Sequence, residues 1–159
     1  MHIDTVPGRG TQVAVYLPAV KDQAVNEPLP PQLSHSISAS GGNRTVLLVD
    51  DDHLVRDMLG DVLRQYGYQV RQAHSGEQAL ALLDEQIDLL LSDFAMPEFN
   101  GAQLALAARE RYPHLPVVLL TGYAELQGLE LPNSLVVQKP VQADELARVL
   151  NEMLVTKTV

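Results

Sequence analysis

The feature that most constrains the fold is a repeating pattern from Arg44 onward, in which short apolar runs alternate with segments of helical periodicity. The five runs are TVLLV (45–49), YQVRQA (68–73), LLLS (89–92), PVVLL (116–120) and SLVVQ (134–138). Runs of this length, rich in branched apolar residues, predict buried strands. The second run is more polar than the others, as is typical of an edge strand.

The segments between the runs predict helices. Apolar residues recur at helical spacing from Leu54 to Tyr66, and Gly67 is suited to cap the end of that helix. Ser75 and Gln78 form a capping-box signature that predicts a second helix, ending at about Glu85. Two more predicted helices are a segment from about Gly101 to Tyr112 and a final helix with Leu146, Val149, Leu150, Met153 and Leu154 on one face.

Strands that alternate with helices predict a mainly parallel sheet covered on both faces, because parallel strands need helical crossovers. Five repeats within residues 44–155 fit an α/β fold of the flavodoxin-like, doubly wound type, with a five-stranded parallel sheet in the order 2-1-3-4-5. In such a fold the carboxyl ends of the strands form the ligand-binding edge.

The composition argues against a membrane-spanning protein, a nucleic-acid-binding protein and a disulfide-bonded protein. Of the 159 residues, 46 % are hydrophobic, and the apolar runs are far shorter than the roughly 20 residues of a membrane helix. The net charge of −9 disfavours a nucleic-acid partner, because phosphate backbones are bound by clusters of Lys and Arg. The absence of cysteine excludes disulfides and thiolate metal sites. We expect a cytoplasmic chain that contacts neither nucleic acid nor membrane, whether or not its parent protein is membrane-anchored.

The first 43 residues differ from the rest. Within residues 1–20, a turn at Gly8 and Gly10 precedes an alternating run that predicts one strand over residues 11–17. A single strand cannot bury its apolar face, so this piece is expected to need a sheet that it does not bring with it. Residues 21–43 are rich in Pro, Ser and Gly, the composition of a flexible linker.

Polar residues follow four of the five predicted strands. Asp50, Asp51 and Asp52 follow the first, Asp93 the third, Thr121 the fourth and Lys139 the fifth. Taken singly, each has an ordinary explanation, because acidic residues are common in turns and near helix N-termini. Their coincidence at one edge of the sheet indicates a site.

The groups at this edge indicate its chemistry. Crowded carboxylates repel one another and need raised pKa values or a bound cation. With only oxygen ligands available the cation would be hard, and Mg²⁺ fits one or two carboxylates, a phosphate and waters. Lys139 supplies a positive charge for an anion, and Thr121 supplies a hydroxyl donor. The implied anion is a phosphoryl group, with one carboxylate as its nucleophile.

Four segments resemble the receiver domain of two-component response regulators in order and spacing. They are VLLVDDDHLVRDML, LLLSDFAMPEFNG, VVLLTGY and VVQKP, within about residues 44–155. The resemblance implies that Asp93 is the phosphoacceptor. It also implies that Asp51 binds Mg²⁺ directly, beside Asp93 and the backbone carbonyl of Ala95, while Asp50 acts through water.

The same resemblance implies roles for later residues. Thr121 would bond a phosphoryl oxygen and report phosphorylation, Lys139 would pair with the phosphoryl group, and the Lys139–Pro140 bond would be cis. Val136 stands where many members carry a switching Tyr or Phe, so we expect a muted, aliphatic switch. Only 17 residues lie between Thr121 and Lys139, which predicts a short fourth helix.

In the family, the residues two positions after the phosphoacceptor and two positions after the Thr influence the lifetime of the acyl phosphate. The resemblance places Ala95 and Tyr123 at these positions. The bulky Tyr123 predicts slow self-dephosphorylation, because its ring would shield the acyl phosphate from water. With no output domain after the last helix, we expect a receiver that passes its phosphoryl group on or tunes its own kinase.

The segment VPGRGTQVAVYLPAV resembles the end of a histidine-kinase ATP-binding domain. The order of kinase end (1–20), linker (21–43) and receiver (44–155) is that of a hybrid sensor histidine kinase. The chain carries no phosphorylatable His motif and no complete nucleotide site, so it is not expected to be a kinase by itself. The implied partners are a histidine kinase or a histidine phosphotransfer domain, and the oligomeric state is left open.

Two other functions compete. Aspartyl phosphatases of the haloacid dehalogenase type also use Asp-x-Asp, here Asp50 and Asp52, followed by a Thr and a Lys. That reading leaves Asp93 unexplained and finds further acids only in the last helix, at Asp144, Glu145 and Glu152. A docking module that is never phosphorylated is the other alternative, although no key receiver position is missing.

Overall fold

A computed structural model describes residues 2–6, 10–14, 42–122 and 133–155. The chain divides into two compact units, Met1–His35 and Ser36–Val159. The smaller unit contains β1 (His2–Val6) and β2 (Gly10–Ala14), an antiparallel pair in which His2 faces Ala14 and Val6 faces Gly10.

The expectation that the first piece brings no partner for its strand was therefore wrong. HIDTV contains three β-branched residues, Ile3, Thr5 and Val6, which favour a strand. Gly10, the first residue of β2, has a φ of +99°, a conformation that glycine adopts without steric cost. The predicted strand also extended to residue 17, and its residues 15–17 lie outside the described ranges.

The larger unit contains five strands and four helices among its described residues. The strands are β3 (Thr45–Val49), β4 (Gln69–Ala73), β5 (Leu89–Asp93), β6 (Val117–Thr121) and β7 (Ser134–Gln138). The helices are α1 (His53–Gln65), α2 (Gly76–Leu82), α3 (Gly101–Arg111) and α4 (Ala143–Val155).

All neighbouring strands of this sheet are parallel, in the order β4-β3-β5-β6-β7. Counted within this unit, the order is 2-1-3-4-5, which confirms the predicted doubly wound topology. β4 lies at an edge and is only partly buried, as its polar sequence predicts, whereas β3, β5 and β6 are buried throughout.

Two apolar clusters cover the two faces of the sheet, because successive strand residues point to opposite faces. One joins the sheet to α1 and α4 and includes Val46, Leu48, Leu63, Leu91, Leu120 and Leu150. The other joins it to α2 and α3 and includes Leu47, Val49, Ala79, Leu90, Leu104 and Leu119. The strand ends are thereby held in a rigid core.

The helix starts follow from local hydrogen bonds. Asn100 and Gln103 form a complete capping box at the start of α3. At α2, Ser75 accepts from the Gln78 amide as predicted, but the Gln78 side chain accepts from the His74 amide instead of closing the box.

Helix α2 ends at Leu82, three residues before the predicted end at Glu85. The Asp84 carboxylate accepts from the Gln86 amide and from Arg71, which holds the chain in a turn there. The predicted short fourth helix falls within residues 123–132, outside the described ranges. Within the described part of the chain, no helix is long and apolar enough to cross a membrane.

Candidate functional site

The carboxyl ends of β3, β5, β6 and β7 bring the predicted site residues to one edge of the sheet. Asp50 follows β3, Asp93 ends β5, Thr121 ends β6 and Lys139 follows β7. Asp50, Asp93 and Thr121 are buried, at 2 %, 9 % and 1 % exposure. Buried polar groups at a strand end need compensating partners, so their neighbours decide what the site can do.

Three carboxylates converge at this edge. One oxygen from each of Asp50, Asp51 and Asp93 lies within 4.8 Å of the others. We call these residues the acid cluster. Asp51 is the exposed member, so the cluster opens to solvent on that side.

Lys139 bridges two members of the acid cluster. Its ammonium nitrogen lies 2.9 Å from Oδ1 of Asp93 and 3.3 Å from Oδ2 of Asp50. The Lys139 backbone N–H also donates to the Thr121 carbonyl at 2.7 Å, which ties the ends of β6 and β7 together. The Lys139–Pro140 bond is cis, as the resemblance implied.

These contacts shift the pKa values of two groups. Burial raises the pKa of Asp50 and the charge of Asp93 adds to this, whereas Lys139 and the Asp52 amide oppose it without cancelling it. Burial alone would lower the pKa of Lys139, but its interactions with Asp93 and then with Asp50 outweigh burial, and the net shift is upward. Lys139 is therefore held as a cation.

Asp52, the third residue of the acidic run, lies outside the acid cluster. Its side chain accepts from the Leu54 amide and caps α1, and its own amide donates to Oδ1 of Asp50 at 2.9 Å. A carboxylate used as an N-cap is the ordinary structural role for an acid at this position. The phosphatase alternative required Asp52 beside Asp50 as a reacting group, and this geometry does not support it.

The turn after β5 fixes the backbone of Asp93. The buried Ser92 hydroxyl donates to the Asp93 carbonyl at 2.8 Å, and the Phe94 amide donates to the Leu120 carbonyl. Gly101 donates to the Phe94 carbonyl and packs so closely on the Asp93 carbonyl that a Cβ would meet it at 2.5 Å. Glycine is therefore required where α3 begins, because any larger residue would displace Asp93.

The remaining predicted positions are more peripheral. Ala95 is exposed on the turn that follows Asp93, and Val136 is partly buried on β7, facing Leu119 in the register. Tyr123 lies outside the described residues.

Sequence reasoning missed two residues that contact the site backbone, Ser92 and Arg56. The Arg56 guanidinium donates to the Asp50 carbonyl at 2.7 Å. A basic residue in the first turns of a helix is electrostatically unfavourable, and that oddity was the available signal for Arg56. Ser92 left no comparable signal, because its role depends on where its hydroxyl points.

Fold and site together define a class of protein. Residues 46–151 match the response regulator receiver domain family, and the chain belongs to that family. It is 32 % identical over 97 % of its length to the sensor kinase CckA of Brucella abortus, and 42 % identical over 69 % of its length to the transcriptional regulatory protein CpxR of Escherichia coli K12.

A similar solved structure is that of the response regulator TrrA from Thermotoga maritima in complex with Mg²⁺–BeF. It is 29 % identical to this chain, with a TM-score of 0.64, over 70 % of this chain and 99 % of that one. The chain spans 18 % of CckA and 48 % of CpxR, less than half the length of either curated relative.

Proposed function

We propose that Asp93 is the phosphoacceptor of this receiver domain and that the acid cluster binds Mg²⁺ beside it. The observation that carries the proposal is the position of Lys139, whose ammonium group bridges Asp93 and Asp50 at the open edge of the sheet. A fixed cation next to a carboxylate nucleophile is what transfer of a dianionic phosphoryl group requires.

The donor set fits a hard divalent cation, since three carboxylates supply only oxygen ligands. Two oxygens bound to one Mg²⁺ lie at most about 4.2 Å apart, so small side-chain rotations would let the acid cluster share one ion. Asp51 and Asp93 would bind it with the Ala95 carbonyl, and Asp50 would act through water. Bound Mg²⁺ supplies charge neutralisation for the phosphoryl oxygens.

In the proposed step, a carboxylate oxygen of Asp93 attacks the phosphorus of a phosphohistidine as the phosphorus–nitrogen bond breaks. The imidazole nitrogen leaves with the electron pair of that bond, and the product is an acyl phosphate. Lys139, released from its bridge to the Asp93 carboxylate, neutralises charge on the transferred group. No further reactant is needed, because the phosphoryl group moves from the imidazole nitrogen to the carboxylate oxygen of Asp93.

Thr121 is proposed to register the product. Its backbone is joined to Lys139 by a hydrogen bond, so both residues respond at the same edge of the sheet. The new phosphoryl group brings close to two negative charges. We propose that this charge shifts the equilibrium between two conformations of Thr121 and Val136. Tyr123, with Ala95, is proposed to slow hydrolysis of the acyl phosphate.

We also propose that the parent protein is a cytoplasmic-facing hybrid sensor histidine kinase, a transferase. The supporting observations are the kinase-like sequence of residues 1–20 and the likeness to the sensor kinase CckA over 97 % of the chain. The proposed partners are the histidine of that kinase or of a histidine phosphotransfer domain.

The test is phosphorylation by acetyl phosphate with Mg²⁺, followed by intact mass. We expect one phosphoryl addition to the wild-type chain and none to Asp93→Asn. The control Asp61→Asn, which removes an exposed carboxylate that pairs with Arg64 on α1, should be labelled like the wild type. Labelling that survives Asp93→Asn but not Asp50→Asn would favour the phosphatase reading. No labelling of any variant would favour the docking module.

A further inference from the structure

Arg56 is placed against the usual electrostatics of a helix start. It lies at the fourth position of α1, where the helix dipole favours acids and disfavours cations. Side chains of a helix lean toward its N-terminus, and the partly buried Arg56 side chain follows this direction to donate from Nη1 to the Asp50 carbonyl at 2.7 Å. A specific contact therefore offsets an unfavourable position.

This contact completes the fixation of Asp50. The Asp50 amide donates to the Ala73 carbonyl at 3.3 Å, and its carboxylate accepts from the Asp52 amide. Because Arg56 donates to the Asp50 carbonyl, hydrogen bonds fix the amide, the carbonyl and the carboxylate of Asp50. Asp51 follows through the next peptide bond, and its carboxylate makes no hydrogen bond of its own within the described residues. The direction of Asp51 thus depends on the Asp50 carbonyl.

The strand β4 supports Arg56 from the other side. The Gln72 side-chain amide donates to the Arg56 carbonyl at 3.3 Å. Gly60, one turn further along α1, leaves space for that amide, because a Cβ there would collide with it. Gln72 and Ala73 together connect the end of β4 to the start of α1 and to Asp50.

We infer that Arg56 is a positioning residue for the site of the divalent cation. Through its hydrogen bond to the Asp50 carbonyl, Arg56 sets the direction of the Asp50 and Asp51 carboxylates. The inference rests on the proposed function, because it assigns how the acid cluster of that site is held. Arg56 donates to a carbonyl and to none of the three carboxylates of the acid cluster, so its role is geometric and not charge neutralisation.

The sign of an affinity change separates these two roles. Removing a cation near three carboxylates would tighten Mg²⁺ binding if charge alone mattered. Loss of a group that orients metal ligands weakens binding, commonly by about 10- to 100-fold. The experiment is therefore calorimetric titration of Mg²⁺ into the full chain, comparing wild type with Arg56→Gln and Arg56→Lys.

We expect Arg56→Gln to raise the Kd for Mg²⁺ about tenfold, with Arg56→Lys in between. The matched control is Arg64→Gln, which removes an arginine of the same helix that pairs with the exposed Asp61, and its Kd should be unchanged. Gln72→Ala, which leaves the arginine in place, should shift the Kd in the same direction by a smaller factor.

A Kd of Arg56→Gln for Mg²⁺ that equals or falls below that of the wild type would overturn the inference. This holds even if the variant has a lower melting temperature, because a purely structural role would also lower it. If Arg56→Gln fails to fold, Arg56→Lys and Gln72→Ala decide by the same criterion. Failure of the proposed function looks different, since the wild-type chain would then bind no Mg²⁺ or Asp93→Asn would still be phosphorylated.

Discussion

The Lys139 ammonium group and the Asp93 carboxylate form an ion pair of 2.9 Å across the carboxyl end of the sheet. β6 lies between β5, which carries Asp93, and β7, which precedes Lys139. The lysine side chain therefore passes the end of β6, where Thr121 lies. The ammonium group also contacts Asp50 after β3, so one cation joins carboxylates from two other βα units, and its removal is the most direct test of the site.

Lys139→Met should slow phosphorylation and lower stability. Loss of one preorganised positive group commonly reduces a rate by about 10²- to 10³-fold. The buried Asp50 would also lose its cationic partner, which should cost about 1–3 kcal/mol of unfolding free energy in metal-free buffer. Labelling by acetyl phosphate and urea unfolding measure the two effects. An unchanged labelling rate would contradict the assigned role.

Asp93→Asn should raise thermal stability without metal, and Mg²⁺ should narrow this advantage over the wild-type chain. In EDTA, removal of one of three crowded carboxylates relieves repulsion while Lys139 keeps its contact with Asp50, so the melting temperature should rise by about 2–5 °C.

With Mg²⁺ at 100 times its Kd, the wild-type chain should gain about 2.7 kcal/mol, and Asp93→Asn should gain less because it lacks one ligand. Scanning calorimetry in both buffers provides the comparison, with Asp61→Asn as the control. A lower melting temperature for Asp93→Asn in EDTA would argue against repulsion in the acid cluster.

Asp50 should make stability depend on pH in metal-free buffer. Because its pKa is raised on folding, the folded chain holds this proton more tightly than the unfolded chain, whose pKa is about 3.9. Asp50 therefore has little effect on the free energy of unfolding below that pH. It lowers this free energy progressively as the pH rises from there through the pKa of the folded chain. The stability gain of Asp50→Asn over wild type should grow across this interval and then level off. A gain that is constant with pH would show that the carboxylate does not titrate as described.

Gly101→Ala should displace Asp93. The added Cβ would meet the Asp93 carbonyl and Phe94 Cα, which are backbone atoms that cannot rotate away. We expect a loss of about 1–3 kcal/mol in stability together with slower phosphorylation. Gly122→Ala is the matched control, since a Cβ there meets no atom of the described residues within 4 Å. Equal behaviour of the two variants would contradict a special role for the Gly101 contact.

Much of the fold was predictable from local patterns. The five strand runs, the strand order and the edge character of β4 are confirmed, because apolar periodicity and parallel crossovers leave few arrangements. β1 escaped prediction because its five residues lack flanking signals on the N-terminal side. The end of α2 was misplaced because the Asp84 turn depends on Arg71, which is close only in the folded chain.

The site was predictable in its residues but not in its geometry. Asp50, Asp51, Asp93 and Lys139 could be brought together because parallel strands end at one edge. Nothing in the sequence distinguished Asp52, which caps a helix, from its two neighbours that join the acid cluster. The contact of Arg56 with a carbonyl likewise depends on side-chain direction, which periodicity does not encode.

The hydrogen bond between the Lys139 amide and the Thr121 carbonyl closes the 17-residue segment that connects these two residues. That segment ends with β7, and the sheet register, with Thr121 facing Gln138, fixes β7 against β6 independently of the residues that lie between the two strands. Loop-closure entropy grows only slowly with length, so insertions there should cost little. The residues between the two strands could therefore change in length and sequence while Thr121 and Lys139 keep their positions at the edge of the sheet.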